Sequence, residues 1–144
     1  MEQRDYLLRE IEKMGMVISA IRQKLFGGTD ELAISAESQA VTLKEMLLDE
    51  AYLDLDELLC MDTAATDDYL TSYKGFNTEN IELLAKTLTD VGLPGTAPES
   101  TALLEKALLL YEICNRRDRT FSFEREAIVS QIKEALHSSG SGLS

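Results

Sequence analysis

The sequence has few of the residues on which enzymatic and metal chemistry depend. Its 144 residues include one histidine, two cysteines, two prolines and no tryptophan. His137, near the C-terminus, is the sole histidine for a Ser-His-Asp or Cys-His arrangement. Cys60 and Cys114 lie far apart and outside any CxxC motif, which predicts two buried, reduced thiols. We therefore expect no enzymatic activity, no metal site and no cofactor.

Positive charge is also scarce, with 14 lysines and arginines against 26 acidic residues and a net charge of -12. Binding to nucleic acid or to an anionic membrane needs clustered basic side chains, so the composition disfavours both. The N-terminal sequence MEQRDYLLRE is charged where a signal peptide would be apolar, and no apolar run approaches the roughly 18 residues of a membrane span. We expect a cytoplasmic protein.

The third absence is of strand signals, since no segment alternates apolar and polar residues and no Asn-Gly or Asp-Gly turn occurs. The chain is instead rich in leucine, glutamate and alanine, which favour helix. This predicts an all-α protein, a compact helical bundle of five to seven helices. We expect one helical domain over residues 1–137 and a flexible tail over 138–144.

The strongest positive signal is an apolar seam with 4-3-4-3-4 spacing in the first predicted helix, from Gln3 to Phe26. This seam consists of Leu7, Ile11, Met14, Ile18, Ile21 and Leu25. Such spacing places one continuous stripe along a helix that packs lengthwise against others. The stripe is either buried in the protein's own core or paired with a second copy in a homodimer. Gly15 permits close approach of a neighbouring helix, and Gly27-Gly28 would end the helix in a left-handed conformation.

Further helices follow from capping residues and apolar spacing. Thr29 or Asp30 would cap a second helix that continues to Glu50. Next come a short helix around Leu55, Leu58 and Leu59 and a helical turn from Thr66 or Asp67 to Tyr73, which Gly75 stops. A longer helix is capped by Thr78 and ended by Gly92. The last two predicted helices are one with Pro98 in its first turn that runs through Cys114, and one capped by Ser122.

Negative charge is concentrated in an acidic stretch between Glu45 and Lys74, within which no lysine or arginine occurs. This stretch is either a solvated surface or a docking surface for a basic partner, with two tyrosines as anchors. The candidate partner-binding residues are Asp49, Glu50, Tyr52, Asp54, Asp56, Glu57, Asp62, Asp67, Asp68 and Tyr69. The basic cluster of Arg116, Arg117 and Arg119 either complements a helix C-terminus or contacts the acidic stretch of another molecule.

Two resemblances accompany these patterns. The segment DYLLREIEKMG, from Asp5 to Gly15, resembles the start of small, uncharacterised all-helical bacterial proteins assigned to a domain of unknown function. The last two helices resemble a tetratricopeptide-like pair, because Tyr111 and Ala127 have the spacing of that repeat, although Leu108 and Thr120 depart from its pattern. The resemblances imply a bacterial helical protein and supply no catalytic residues.

The leading hypothesis is a non-catalytic helical protein-interaction module, an adaptor or scaffold, whose partner is a basic protein or a second copy of the chain. One alternative is a small-ligand-binding or enzymatic domain with a pocket between helices, in which Tyr52, Tyr69, Tyr73 or Tyr111 acts with a carboxylate. The other alternative is a structural homo-oligomer.

Overall fold

Helices make up all of the regular structure in the described part of the chain. The computed structural model describes residues 2–27, 35–95, 97–119 and 122–141. Within these ranges there is no strand, which confirms the all-α prediction. The α-helices are α1 (Glu2–Phe26), α2 (Ala36–Ala51), α3 (Leu55–Leu59), α4 (Thr63–Asp68), α5 (Thr78–Gly92), α6 (Ser100–Asp118) and α7 (Phe123–Ser141), and a π-helical segment, Tyr69–Tyr73, directly follows α4.

Side-chain oxygens cap several helix N-termini, as the sequence led us to expect. Ser122 accepts a hydrogen bond from the backbone N–H of Arg125 at 3.2 Å, which confirms it as the cap of α7. The cap of α5 is Asn77 and not Thr78, because the Asn77 side chain accepts from Asn80 N at 2.9 Å. Thr78 is instead the first residue of that helix.

The second helix begins later than predicted. Ser35 is extended, with φ -62° and ψ 152°, and its hydroxyl accepts from Ser38 N, so α2 starts at Ala36. Thr29 and Asp30, the predicted caps, lie outside the described residues. The helix ends at Ala51, close to the predicted Glu50, and a left-handed residue separates it from α3.

The glycines and prolines only partly act as predicted. Gly75 has φ +69° and follows the π-helical segment, which confirms its role as a stop. Gly92 ends α5, but the positive-φ glycines among the described residues are Gly75 and Gly95, so neither Gly92 nor Gly27 is a left-handed cap. Gly28 lies outside the described residues. Pro98 precedes α6 in a turn, and the helix begins at Ser100.

The antiparallel pair of α5 and α6 forms the most extensive helix contact and the centre of the core. At one end Gly92 approaches Leu104, and at the other the Cys114 thiol reaches Thr78 O at 3.7 Å. The fully buried side chains of this pair include Ile81, Leu84, Leu88, Leu103, Leu110 and Tyr111. Burial of each large aliphatic side chain contributes about 1.5–3 kcal/mol.

The apolar seam of α1 is buried along only part of its length. Ile18, Ile21 and Leu25 are at most 3% exposed, and Met14 packs against the core. Ile11 is half-buried, whereas Leu7 is 56% exposed. The seam therefore serves the protein's own core over its C-terminal part. Its N-terminal part carries exposed apolar side chains: Tyr6, Leu7 and Leu8.

Polar contacts fix α1 against α5, and the two helices run parallel. The Asn80 side-chain amide donates to Ile11 O at 3.0 Å. Arg22 donates to Thr87 Oγ1 at 3.0 Å and pairs with Asp90 at 2.7 Å. A Cβ at Gly15 would lie 3.1 Å from the Asn80 side-chain oxygen, which confirms the predicted close approach of a neighbouring helix at this glycine.

Candidate functional site

Two aspartates of the predicted partner-binding set cap short helices. The Asp54 carboxylate accepts from Glu57 N at 3.2 Å and begins α3. The Asp62 carboxylate accepts from Ala65 N at 2.8 Å and begins α4. Both carboxylates lie at positive helix ends, where they stabilise helices too short to form alone. These two residues therefore have a structural role within the chain.

Three more aspartates of the stretch contact polar side chains of the same molecule. Asp56 pairs with Lys44 at 3.0 Å, and Asp68 accepts from the Ser72 hydroxyl at 3.0 Å. Asp67 pairs with Arg117 of the basic cluster at 2.5 Å. The basic cluster and the acidic stretch thus meet within one chain.

Asp67 remains charged to lower pH than an ordinary aspartate. Burial by itself would raise the pKa of its carboxyl group, but the hydrogen bonds from Arg117 and Thr71 outweigh burial and lower the pKa below its usual value. The Thr71 hydroxyl donates to the carboxylate at 3.0 Å. Arg117 donates to both Asp67 and Thr71, which ties the end of α4 and the π-helical segment to the C-terminal end of α6.

The two tyrosines of the predicted set have different surroundings. The Tyr69 hydroxyl accepts a hydrogen bond from Asp54 N at 3.3 Å, and its ring packs partly against the core. Tyr52 is 77% exposed. Tyr69 thus supports the fold between α2 and α3, and Tyr52 is the tyrosine that is available to another molecule.

Three apolar side chains of α2 and its C-cap are more than half exposed beside the buried face of the helix. Val41 is 52% exposed, Leu48 is 52% exposed, and Tyr52 follows at the end of the helix. The spacing of seven residues places Val41 and Leu48 on one helical face, and together with Tyr52 at the helix end they form what we call the outer face of α2. Apolar side chains that are aligned and more than half exposed are typical of contact surfaces.

Carboxylates surround this outer face. Glu45 and Asp49 are exposed on the side of α2 next to this face, whereas Glu50 lies on the opposite side of the helix. On the other edge Lys44 lies between Asp56 at 3.0 Å and Glu99 at 3.3 Å, so its charge is neutralised locally. The pKa of the Lys44 ammonium is raised, chiefly by its hydrogen bond to Asp56. The edge of the face is therefore negative.

The backbone holds Tyr52 in a position that few tyrosines adopt. Its φ of 53° and ψ of 34° are left-handed, and its N–H donates to Leu47 O and Leu48 O as the C-cap of α2. The Lys74 ammonium donates to Tyr52 O and lies 5.4 Å from the centre of the Tyr69 ring. A left-handed conformation costs a residue with a Cβ about 1–2 kcal/mol. The ring is thus presented to solvent at a cost in stability.

Replacement of Tyr52 with glycine is expected to stabilise the fold by about 1 kcal/mol, because glycine adopts the left-handed conformation without strain. Tyr52→Ala is the matched control, since it removes the same exposed ring and retains the strain. Urea unfolding of the three proteins measures the difference. A glycine variant no more stable than the alanine variant would show that the strain is absent.

Arg125, which the sequence analysis missed, joins three helices from a position that is 5% exposed. Its guanidinium holds Glu82 of α5 through two hydrogen bonds of 2.8 and 3.2 Å. It also donates to Asn115 and Asp118 of α6, each at 2.9 Å. The hydrogen bond to Glu82 is the main reason that the pKa of Arg125 is raised. We call this group the Arg125 network.

Lys106 is a second buried cation, and its partners are uncharged. Its ammonium donates to Met61 O at 2.7 Å and to Thr66 Oγ1 at 2.8 Å, which fastens the α3–α4 connection to α6. Burial lowers the pKa of this ammonium, while the nearby Asp62 acts in the opposite direction. These contacts give Lys106 a structural role.

The cysteines differ in exposure. Cys114 is buried, as predicted, and burial raises the pKa of its thiol to about 12. Cys60 is exposed, so the prediction of a second buried thiol was wrong. It follows α3 as the C-cap residue, at the point where the chain turns along the surface. Both thiols are free.

The tyrosines proposed for a ligand pocket do not gather around one cavity. Tyr111 is buried beside Thr89, and its hydroxyl has no hydrogen-bond partner within the described part of the chain. Burial raises the pKa of this hydroxyl to about 12, with Thr89 acting in the opposite direction. Tyr52 is exposed, Tyr69 is hydrogen-bonded to the backbone, and the side chain of Tyr73 lies outside the described residues.

The described residues contain neither a metal-binding cluster nor a membrane-spanning helix. No group of three or more histidine, cysteine, aspartate or glutamate side chains there is arranged to hold a metal ion. Among the same residues, every helix is too short or too polar to cross a membrane.

Comparisons with models of known protein families, with curated proteins and with solved structures found no match. The resemblances of the N-terminal segment to helical bacterial proteins and of the last helices to a tetratricopeptide pair therefore stay predictions.

Proposed function

We propose that this protein is a non-catalytic protein-interaction module whose partner binds the outer face of α2. The observation that supports this proposal most directly is the line of exposed apolar side chains formed by Val41, Leu48 and Tyr52. Of the predicted partner-binding acidic residues, Asp49 lies exposed beside these side chains.

The surface is suited to contact because it carries an exposed tyrosine whose backbone is already held in place. Tyr52 is held by backbone hydrogen bonds at its N–H and by Lys74 at its carbonyl. A rigid aromatic side chain loses little conformational entropy on binding, which is why tyrosine often anchors interfaces. The acidic edge would attract a basic partner and speed its association.

The test compares full-length proteins that differ only at exposed positions. Wild type, Leu48→Asp, Tyr52→Gly and Met16→Asp are immobilised, and the proteins retained from native lysate are quantified. Met16 is 73% exposed on α1, away from the proposed surface, and is the matched control for Leu48. We expect Met16→Asp to retain the partner, and the other two variants to retain about tenfold less.

Two results would contradict the proposal. One is that wild type reproducibly retains no protein. The other is that Leu48→Asp retains the partner as well as wild type does, because an aspartate cannot replace a buried leucine in an interface.

Self-association is a second candidate, and the exposed Tyr6, Leu7 and Leu8 of α1 favour it. These three consecutive residues span less than one helical turn, whereas a stable dimer usually buries about 800 Å² per partner. Light scattering of the wild type over a range of concentrations separates the two candidates, since a dimer would double the mass.

A further inference from the structure

A concave surface lies between α6 and α7, and it is separate from the outer face of α2. It is an open groove of about 360 Å³. Leu108 and Leu109 of α6 and Val129 of α7 line it, and all three are half-buried against the core. The groove thus has an apolar floor that water still reaches, which is the condition under which burial by a partner is favourable.

The rim of the groove is predominantly negative. Glu105 and Glu112 of α6 and Glu126 of α7 lie along the rim, and all three are exposed. Lys133 of α7 is the one basic residue of the lining. Glu105 and Glu112 are seven residues apart and therefore lie on one side of α6, about 10 Å apart along its axis. The α6 wall is therefore negative, and the α7 wall carries one carboxylate, Glu126, and one ammonium, Lys133.

The Arg125 network fixes the width of this groove. Arg125 binds Asn115 and Asp118 of α6 from the first turns of α7, and Asn115 itself lines the groove. The two walls are therefore held together before any ligand arrives. A preformed groove avoids the cost of ordering on binding.

We propose that the α6–α7 groove binds a short, basic, amphipathic helix of a partner protein. The apolar side chains of that helix would pack on Leu108, Leu109 and Val129. Lysine or arginine side chains seven residues apart on one edge of the partner helix would face Glu105 and Glu112, and a basic residue on the other edge would face Glu126. This site is independent of the outer face of α2.

The probe is a synthetic, fluorescently labelled peptide of about 18 residues, long enough to form a helix. It has a leucine face with i, i+3, i+4, i+7 spacing and lysines on both edges, and its affinity for the full-length protein is measured by anisotropy. We expect Glu126→Lys to weaken binding about tenfold. The matched control Glu124→Lys should weaken it less than about twofold.

The control isolates the groove because both glutamates are exposed, both lie in the first turn of α7, and both substitutions change the net charge equally. A peptide with alanine in place of leucine keeps the charge and should bind at least about tenfold more weakly, since it cannot cover the apolar floor.

Backbone NMR shifts of the isotopically labelled protein locate the peptide, and we expect the largest changes in 105–115 and 126–133. Equal weakening by Glu126→Lys and Glu124→Lys would overturn the proposal, because it would show attraction to net charge alone. Chemical-shift changes confined to α2 would also overturn the groove proposal, because they would show that the peptide binds the outer face of α2. Absence of binding at about 1 mM peptide would overturn it as well.

Discussion

Replacement of Arg125 with alanine is expected to lower the free energy of unfolding by about 3 kcal/mol. The substitution removes the hydrogen bonds that join Glu82, Asn115 and Asp118 to α7. It also leaves two carboxylates close together without their shared cation. This loss in stability is at the lower end of the range for breaking a buried ion pair. The reason is that the side chains of Glu82 and Asp118 are 38% and 35% exposed and can be hydrated again.

Arg125→Lys separates charge from geometry. Lysine keeps the positive charge but has no planar fork to bind Glu82 through two bonds while reaching α6. We expect this variant to recover less than half of the lost stability. Lys133→Ala, an exposed change on the same helix, should stay within about 0.5 kcal/mol of wild type.

Urea unfolding followed by circular dichroism measures all three variants. Arg125→Ala with the stability of wild type would show that α7 does not depend on this guanidinium. Full recovery by lysine would show that its charge alone is sufficient and that the fork geometry is unimportant.

The second large effect is expected at Gly92, where Gly92→Ala should destabilise the protein by about 2 kcal/mol. A Cβ at this position would lie 2.9 Å from Leu104 Cγ and 3.2 Å from Ser100 O. Leu104 is 4% exposed and cannot swing into solvent, so α5 and α6 would have to separate at their tightest contact. The higher helix propensity of alanine offsets only part of this cost.

A double-mutant cycle with Leu104→Ala tests the steric cause. If the clash is with the leucine, the loss in the double variant is smaller than the sum of the two single losses, because the new methyl group enters the space that the leucine leaves. Strict additivity would show that the effect at Gly92 has another origin.

The sequence predicted helices well where apolar spacing and a cap agreed. The spacing of the α1 seam and the Gly75 stop led to the observed elements, and Ser122 is the cap of α7. The N-cap of α5 was predicted wrongly because two neighbouring residues could each act as the cap. Asn77 and Thr78 both carry a side-chain oxygen, and only the backbone conformation decides which of them caps α5.

Gly92 shows a different reason for error. A glycine after an apolar helical run is typical of a left-handed cap, yet here the absence of a Cβ serves the packing of Leu104 from another helix. The pattern within one helix contains no information about which side chain the next helix places against it.

The candidate surfaces were predicted only in part, and for the same reason. The acidic stretch was evident as a run of charge, but its division into caps, ion pairs and exposed carboxylates depends on partners such as Arg117, 50 residues from Asp67. The α6–α7 groove gave no sequence signal, because its lining comes mainly from two helices of which neither is unusually acidic.

The parallel contact between α1 and α5 has a consequence for synthesis on the ribosome. Arg22 and Thr87 are 65 residues apart in the chain, and Ile11 and Asn80 are 69 apart. At about 5–20 residues per second, the first helix emerges roughly 3 to 13 seconds before its lateral neighbour. During that interval the side of α1 that packs against α5 has no partner, so apolar side chains of the nascent first helix stay exposed to aggregation.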